Sequence, residues 1–461
     1  MTEILTIIGL AAIQFIIGLG ILSCLNIRGK SFMRIALCIL TGLMIFAIIP
    51  YFLQIIHLPI TAANIAILIT LAAVIANSQF KKSWRYLKDI IANIKLPKLY
   101  EIPFFLIIGF IFLMGAWRCY YEAPVSRDLT SGSEAIAEYT VKENTMINSV
   151  FTVNMDENNN IFKPPSVTSL QVIYKYAGFP FGQVWLINVV LCFLVFMYGV
   201  LTEKIHPILA GTLLLFLIAA PEFYAYSFMV LFDYTNTVFY TITCYFLYKF
   251  FTEKTANNLI FASIMGGFAT YLRSETPILI GLLSLILLAY FIRKKTPFIT
   301  MLWQGGLFLG VPFIFYFVTS YYYIHSLPIA YPVSDQINKK LGDLGPLWDR
   351  FSDINSKLLF CDFGITLYGY LIYLFTLFFI ADMIFFFIPD IKKRKAVNKP
   401  IVYWLLAIAT VYFGVAIIGF LLPLADLFNT TKRELFKLLP LLVIYLSFNR
   451  IVLAISKWIP V

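Results

Sequence analysis

Residues 117–182 read WRCYYEAPVSRDLTSGSEAIAEYTVKENTMINSVFTVNMDENNNIFKPPSVTSLQVIYKYAGFPFG and separate two strongly apolar segments. This is the longest polar interval in an otherwise membrane-like chain. It carries Asp128, Glu134, Glu138 and the triplet Lys163-Pro164-Pro165. A chain built mostly of lipid-facing helices rarely keeps so long a charged loop, and the stretch is read as an active-site loop.

Around it, the composition is that of a membrane protein. Of 461 residues, 61% are hydrophobic, 17% aromatic and only 13% charged. A soluble domain is nearer half apolar and about a quarter charged. The formal net charge of +11 would suggest nucleic acid in a soluble protein. Here the excess Lys and Arg sit in short loops between apolar runs, the positive-inside pattern, which argues against nucleic-acid binding.

Apolar windows of about 20 residues predict roughly thirteen membrane-spanning helices in an all-α polytopic protein. Their limits are 4–24, 35–55, 60–76, 102–118, 182–201, 206–221, 226–250, 257–272, 276–292, 298–320, 363–388, 400–422 and 434–456. Basic clusters at Arg28/Lys30/Arg34, Lys81–Lys98, Arg293–Lys295 and Lys392–Lys395 then fall on one side, expected to be cytoplasmic. The 117–182 loop, a second loop at 321–362 and the 423–433 turn share the opposite side. No appended soluble domain is expected, because these loops are too short for a core of their own. The N-terminus lacks the basic region of a signal peptide, so the 4–24 segment is read as the first span, retained.

Two further segments have helical apolar spacing without enough length to cross. In 78–97, Trp84, Leu87, Ile90, Ile91 and Ile94 alternate with Lys and Arg, predicting a helix lying flat on the cytoplasmic surface. On the outer side, Leu347, Trp348, Phe351, Ile354 and Leu358 form a similar stripe after the breaker Gly345-Pro346. Cys38, Cys192 and Cys244 read as buried apolar residues, while Cys119 and Cys361 end outer loops and are a candidate pair. His57, His206 and His325 show no metal-ligand spacing, and no ligand cluster decides for or against a divalent metal.

The candidate chemistry lies on the outer side. Asp128 precedes an amphipathic stretch in which Glu134, Glu138 and Lys142 share one helical face, with Ser131 or Ser133 as its cap. An anion before a helix N-terminus is favoured electrostatically and can accept a proton from a hydroxyl. Two prolines aim Lys163, a suitable partner for phosphate. Asp233 lies in an apolar stretch near the outer surface, where charges usually face a cavity. Arg273 and Glu275 occupy a tight outer turn, and Lys432 and Arg433 open the last span. Their common placement suits a pocket for an anionic, membrane-borne substrate.

In this succession the chain resembles the GT-C superfamily of polytopic glycosyltransferases, nearest the branch of protein O-mannosyltransferases and lipid A aminoarabinose transferases. Asp128 through Glu134-Ala135-Ile136-Ala137 resembles the family's acidic motif in the first outer loop, with Leu129 where a second acid usually stands. Phe162-Lys163-Pro164-Pro165 and Phe181-Gly182 resemble its next turn. Asp233, the Gly267–Arg273 turn and Arg433 with Pro440 follow in order.

The resemblance implies transfer of a sugar, with inversion, from a polyprenyl-phosphate carrier to an acceptor hydroxyl on glycan, lipid or protein at the extracytoplasmic face of a bacterial inner membrane. Asp128 would be the catalytic base. Lys163, Arg273 and Arg433 would hold phosphate, with Glu134, Asp233, Glu275 and Lys432 as further substrate contacts. A polymerase or ligase of lipid-linked glycans and a flippase are the competing expectations. The first calls for arginine-rich outer loops and the second for internal repeats with charges at mid-membrane.

Overall fold

The computed structural model describes residues 2–123, 132–152, 163–328, 341–392, 398–422 and 426–459. Every regular element among these is helical. The first half comprises α1 (Thr2–Leu25), α2 (Ser31–Ile55), α3 (Ala62–Ala76), α4 (Phe80–Ala92), α5 (Ile102–Tyr121), α6 (Glu134–Glu143), α7 (Ser166–Tyr176) and α8 (Trp185–Leu201). Next come α9 (Pro207–Ile218), α10 (Pro221–Ser227), α11 (Phe232–Glu253), α12 (Ala256–Leu272), α13 (Thr276–Lys294) and α14 (Phe298–Phe315). The longer later helices are Gly345–Asp353, Leu371–Asp382, Lys399–Leu421, Leu438–Phe448 and Arg450–Trp458.

Among the described residues, seven helical segments are long and apolar enough to cross a bilayer, and up to ten if each of three bent pairs is one span. The bends explain where hydropathy windows and helices part company. The 60–76 window is α3, which turns by 84° into α4, and the 206–221 window is α9, which turns by 79° into α10. The 434–456 window breaks by 60° at Asn449, whose side chain accepts from the N–H groups of Ile451 and Val452 and starts a new helix. α4 and Gly345–Asp353 fall where the two surface helices are expected.

The core is formed by α2, α8, α11, α12 and Leu438–Phe448. α1 and α2 approach closely through glycine: a Cβ on Gly18 would strike the Cys38 carbonyl, and one on Gly42 the Gln14 carbonyl. α11 is buried on all sides despite Thr237, Thr241 and Thr243. Each of these hydroxyls donates to the carbonyl four residues back, so none is left unsatisfied in an apolar interior. By contrast α5 and α14 are mostly exposed and present the apolar surface that lipid would cover.

Contacts mark the two ends of the bundle. At one, Tyr176 donates to Ile60 O (2.7 Å), Met146 N to Gln54 Oε1 (2.8 Å) and Tyr51 to Val318 O (2.6 Å). At the other, Arg34 meets Asp89 (2.6 Å), Tyr198 donates to Glu101 (2.8 Å) and His206 N to Ser456 Oγ (2.7 Å). The basic loops before α2 and around α4 thus share an end opposite residues 132–152 and 163–182.

Two expectations are corrected. Cys119 and Cys361 do not pair: all six cysteines are free, Cys119 faces Phe228 O and Cys361 Sγ accepts from Gly364 N. Ser133 is the residue before α6 but makes no capping hydrogen bond, since its own backbone is already helical. Ser131 lies outside the described residues.

Gly42→Ala is expected to cost about 1–3 kcal/mol by forcing α1 and α2 apart, seen as a lower midpoint of thermal unfolding in detergent. Gly9→Ala, whose Cβ would meet nothing within 4 Å, leaves the midpoint unlowered.

Candidate functional site

Arg273 closes α12 at the end of the bundle that carries the 132–182 region, in extended conformation rather than helical. Its guanidinium contacts three carboxylates from separate parts of the chain. Nη1 pairs with Asp233 in the first turn of α11. Nη2 lies 3.0 Å from Glu275 Oε1, and Nε lies 2.8 Å from Glu434 Oε1. That last contact is off-line for hydrogen bonding, so Arg273 Nε and Glu434 Oε1 have no hydrogen-bond partner among the described residues.

Three further cations join through these acids. Lys437 Nζ lies 2.5 Å from Glu434 Oε2, Lys163 Nζ 3.7 Å from Glu275 Oε1, and Arg433 Nη1 3.6 Å from Asp233 Oδ2. Four cations therefore face three carboxylates. Asp233, Arg273, Glu434 and Lys437 are at most 5% exposed as side chains, whereas Arg433 and Lys163 are 16% and 26% exposed. The inner members are shut away, and two cations form the accessible edge.

The local sequence accounts for this edge. Pro164 and Pro165 stiffen the approach to α7, so Lys163 is held at its N-terminus. Ser166, the first residue of α7, is fully buried and its hydroxyl has no hydrogen-bond partner among the described residues. Arg433 is set by donation of Nε to Asn429 O (2.8 Å) and lies 6.0 Å from the centre of the Tyr226 ring. Lys432 Nζ shares that ring and pairs with Glu222 (2.8 Å), whose second oxygen is buried without a hydrogen-bond partner among the described residues.

The charges perturb one another. Burial pushes the Glu275 carboxyl upward, but Arg273, Lys163 and hydrogen bonds outweigh it and hold the group well below the usual carboxylate range. Glu275 pulls the Lys163 ammonium upward, yet burial together with Arg273 and Arg433 prevails and leaves it below the usual lysine value. A buried cluster with a cation in excess disfavours its own full protonation, and an added anion would relieve it.

Of the predicted site residues, Lys163, Asp233, Arg273, Glu275 and Arg433 come together, and Lys432 adjoins them through Tyr226. Glu134 does not. It binds Lys175 (2.5 Å) and accepts from Gln171 (2.5 Å), while Lys175 also reaches Glu138 (3.0 Å). Gln171 further donates to Phe181 O and accepts from Trp185 Nε1. Glu134 thus staples α6 to α7 with its oxygens engaged. Burial, opposed by Lys175 and Gln171, raises its carboxyl above the ordinary value. Asp128 lies outside the described residues. Glu434 and Lys437 were not anticipated, although two charges three residues apart in an apolar helix are a signal of buried function or pairing.

Among the described residues no group of three or more His, Cys, Asp or Glu is arranged to hold a metal ion. Asp233, Glu275 and Glu434 surround a guanidinium instead. Comparison with protein-family models, curated proteins and solved structures finds no match to this chain.

Arg273→Gln strands three buried acids and is expected to destabilise the protein by about 3–5 kcal/mol, measured by thermal unfolding in detergent. Because Glu275 has a lowered value in the folded state, its contribution is complete above about pH 4.3, the unfolded value, and is lost as pH falls through the folded one. Glu275→Gln should therefore flatten the acid limb of the stability profile.

Proposed function

We propose that this chain is a GT-C-like membrane glycosyltransferase, with about thirteen spans, that moves a sugar from a polyprenyl-phosphate carrier to an acceptor hydroxyl. The observation that carries the reading is the convergence of Lys163, Arg273 and Arg433 on one buried network at the end of the bundle opposite the basic loops. By the positive-inside rule that end is extracytoplasmic, and the membrane is a bacterial inner membrane.

The chemistry fits the residues. The acceptor oxygen attacks the anomeric carbon of the donor, and the bond from that carbon to the phosphate oxygen breaks. The phosphate leaves with the electron pair; being the anion of an acidic group it needs no strong general acid. It needs positive charge held in place, which Lys163 and Arg433 at the accessible edge supply while Arg273 fixes the carboxylates behind them. Asp128, just upstream of α6, takes the hydroxyl proton. The N-terminus of α7, three residues after Lys163, adds its partial positive charge there. Any divalent metal would be an addition to this scheme, since the cations already serve the leaving group. Gathering of the charges at one face, rather than at mid-membrane, favours transfer over a flippase. The 321–362 loop carries one arginine, Arg350, which favours single-sugar transfer over polymerase or ligase activity.

In proteoliposomes supplied with polyprenyl-phosphate sugars and envelope acceptors, Lys163→Ala and Arg433→Ala should each lower transfer by on the order of 10²–10³-fold without lowering the unfolding midpoint. Envelope glycans compared by mass spectrometry with and without the protein identify the sugar. Undiminished transfer by Asp128→Asn would remove the assigned base, and undiminished transfer by both cation variants would remove the phosphate reading.

A further inference from the structure

The strongest unexplained feature lies at the other end of the bundle. α4 makes an 84° turn from α3 and divides into three faces. Ser83, Tyr86 and Ile90 are buried against the protein. They are held there by Tyr86 donating to Ile27 O (2.6 Å), by contact of Ser83 with Ser23 (3.1 Å), and by the Arg34–Asp89 pair (2.6 Å). A second face exposes Phe80, Trp84 and Ile91, with the first two rings stacked. At about 100° per residue, Lys81, Arg85 and Lys88 form a third face bordering the apolar one, and all three are exposed.

Among the described residues no carboxylate pairs with Lys81, Arg85 or Lys88. Asp89 is the one carboxylate between residues 78 and 98, and it is engaged by Arg34. Lys82 is turned back to Cys24 O (3.0 Å). Lys88 Nζ lies 5.4 Å from the centre of the Trp84 ring, which places a cation beside a side chain suited to the headgroup depth of a bilayer. Lys95 and Lys98 continue the positive charge toward α5.

We propose that the Lys81–Arg85–Lys88 row of α4 is a binding surface for acidic phospholipid headgroups, with Phe80, Trp84 and Ile91 inserted among the adjoining acyl chains. The charge is complementary to an anionic leaflet, and the geometry puts cations and apolar anchors side by side in the membrane plane. The face is independent of the glycosyltransferase reading, because it stands at the opposite end of the molecule from Lys163 and Arg273. The acid nearest them on the helix, Asp89, is held by Arg34 (2.6 Å) and accepts from Asn93 Nδ2 (3.0 Å), which leaves an external anion as the counter-charge of the three cations.

The test is amide hydrogen exchange across residues 80–92 in the full chain, reconstituted in nanodiscs of phosphatidylcholine alone or with one-third phosphatidylglycerol. The wild type should exchange at least about tenfold more slowly with phosphatidylglycerol, and 0.5 M salt should weaken the difference. The variant K81Q/R85Q/K88Q should lose it, whereas K294Q/K295Q, carrying exposed charges elsewhere at the same end, should keep it. Equal exchange in both lipids, or retention of the difference by the triple variant, overturns the proposal. So does its loss in K294Q/K295Q, which would signal general charge attraction. Inorganic phosphate added to phosphatidylcholine discs should change nothing; protection by phosphate alone would identify an ion site rather than a lipid surface.

Discussion

A buried arginine holding three carboxylates is the constraint on which the rest of the site depends. Arg273 would be prohibitively costly in an apolar interior without Asp233, Glu275 and Glu434, and each acid would be as costly without it. Their attraction ties the start of α11, the α12–α13 turn and the segment before Leu438–Phe448 to one point. A lysine has no fork with which to meet three acids at once. Placing the cation at the C-terminal end of α12 adds a favourable interaction with that helix's carbonyls.

Every other charge in the network is positioned by one of those acids. Glu434 brings in Lys437, Glu275 brings in Lys163, and Asp233 brings in Arg433. The order of burial then separates two duties. Lys437, fully buried, balances Glu434 and has no route to a ligand. Lys163 and Arg433, partly exposed and 3.7 and 3.6 Å from their acids, retain field that an incoming anion can feel.

Much of the frame was legible because length and hydropathy are local properties. α1, α2, α5, α13 and Lys399–Leu421 coincide with apolar windows, and α4 follows from helical spacing. Breaks were not, since Asn449 changes direction through a side-chain cap and α9 ends before Pro221 with no charged loop to mark it. The central position of α11 was also hidden: its threonines lower its apparent hydropathy, although the hydroxyls of Thr237, Thr241 and Thr243 are satisfied by the helix itself. Of the site, residues that stand out as charges near an outer surface were found. Glu434 and Lys437 were not, because Glu434 meets Arg273 across 161 positions of sequence and nothing local records such a pairing.

The displacement of Glu134 from the network shows how α6 serves the site without touching it. Glu134 and Lys175 lock α6 to α7, and Gln171 locks α7 to Phe181 and Trp185. Because α7 is only eleven residues long, a helix of marginal stability by itself, those contacts decide where its N-terminus stands. Pro164 and Pro165 then transmit that position to Lys163 with little backbone freedom. A carboxylate on α6 therefore governs the placement of an ammonium beside Glu275, and its influence on any ligand there passes through the rigidity of α7 rather than through contact.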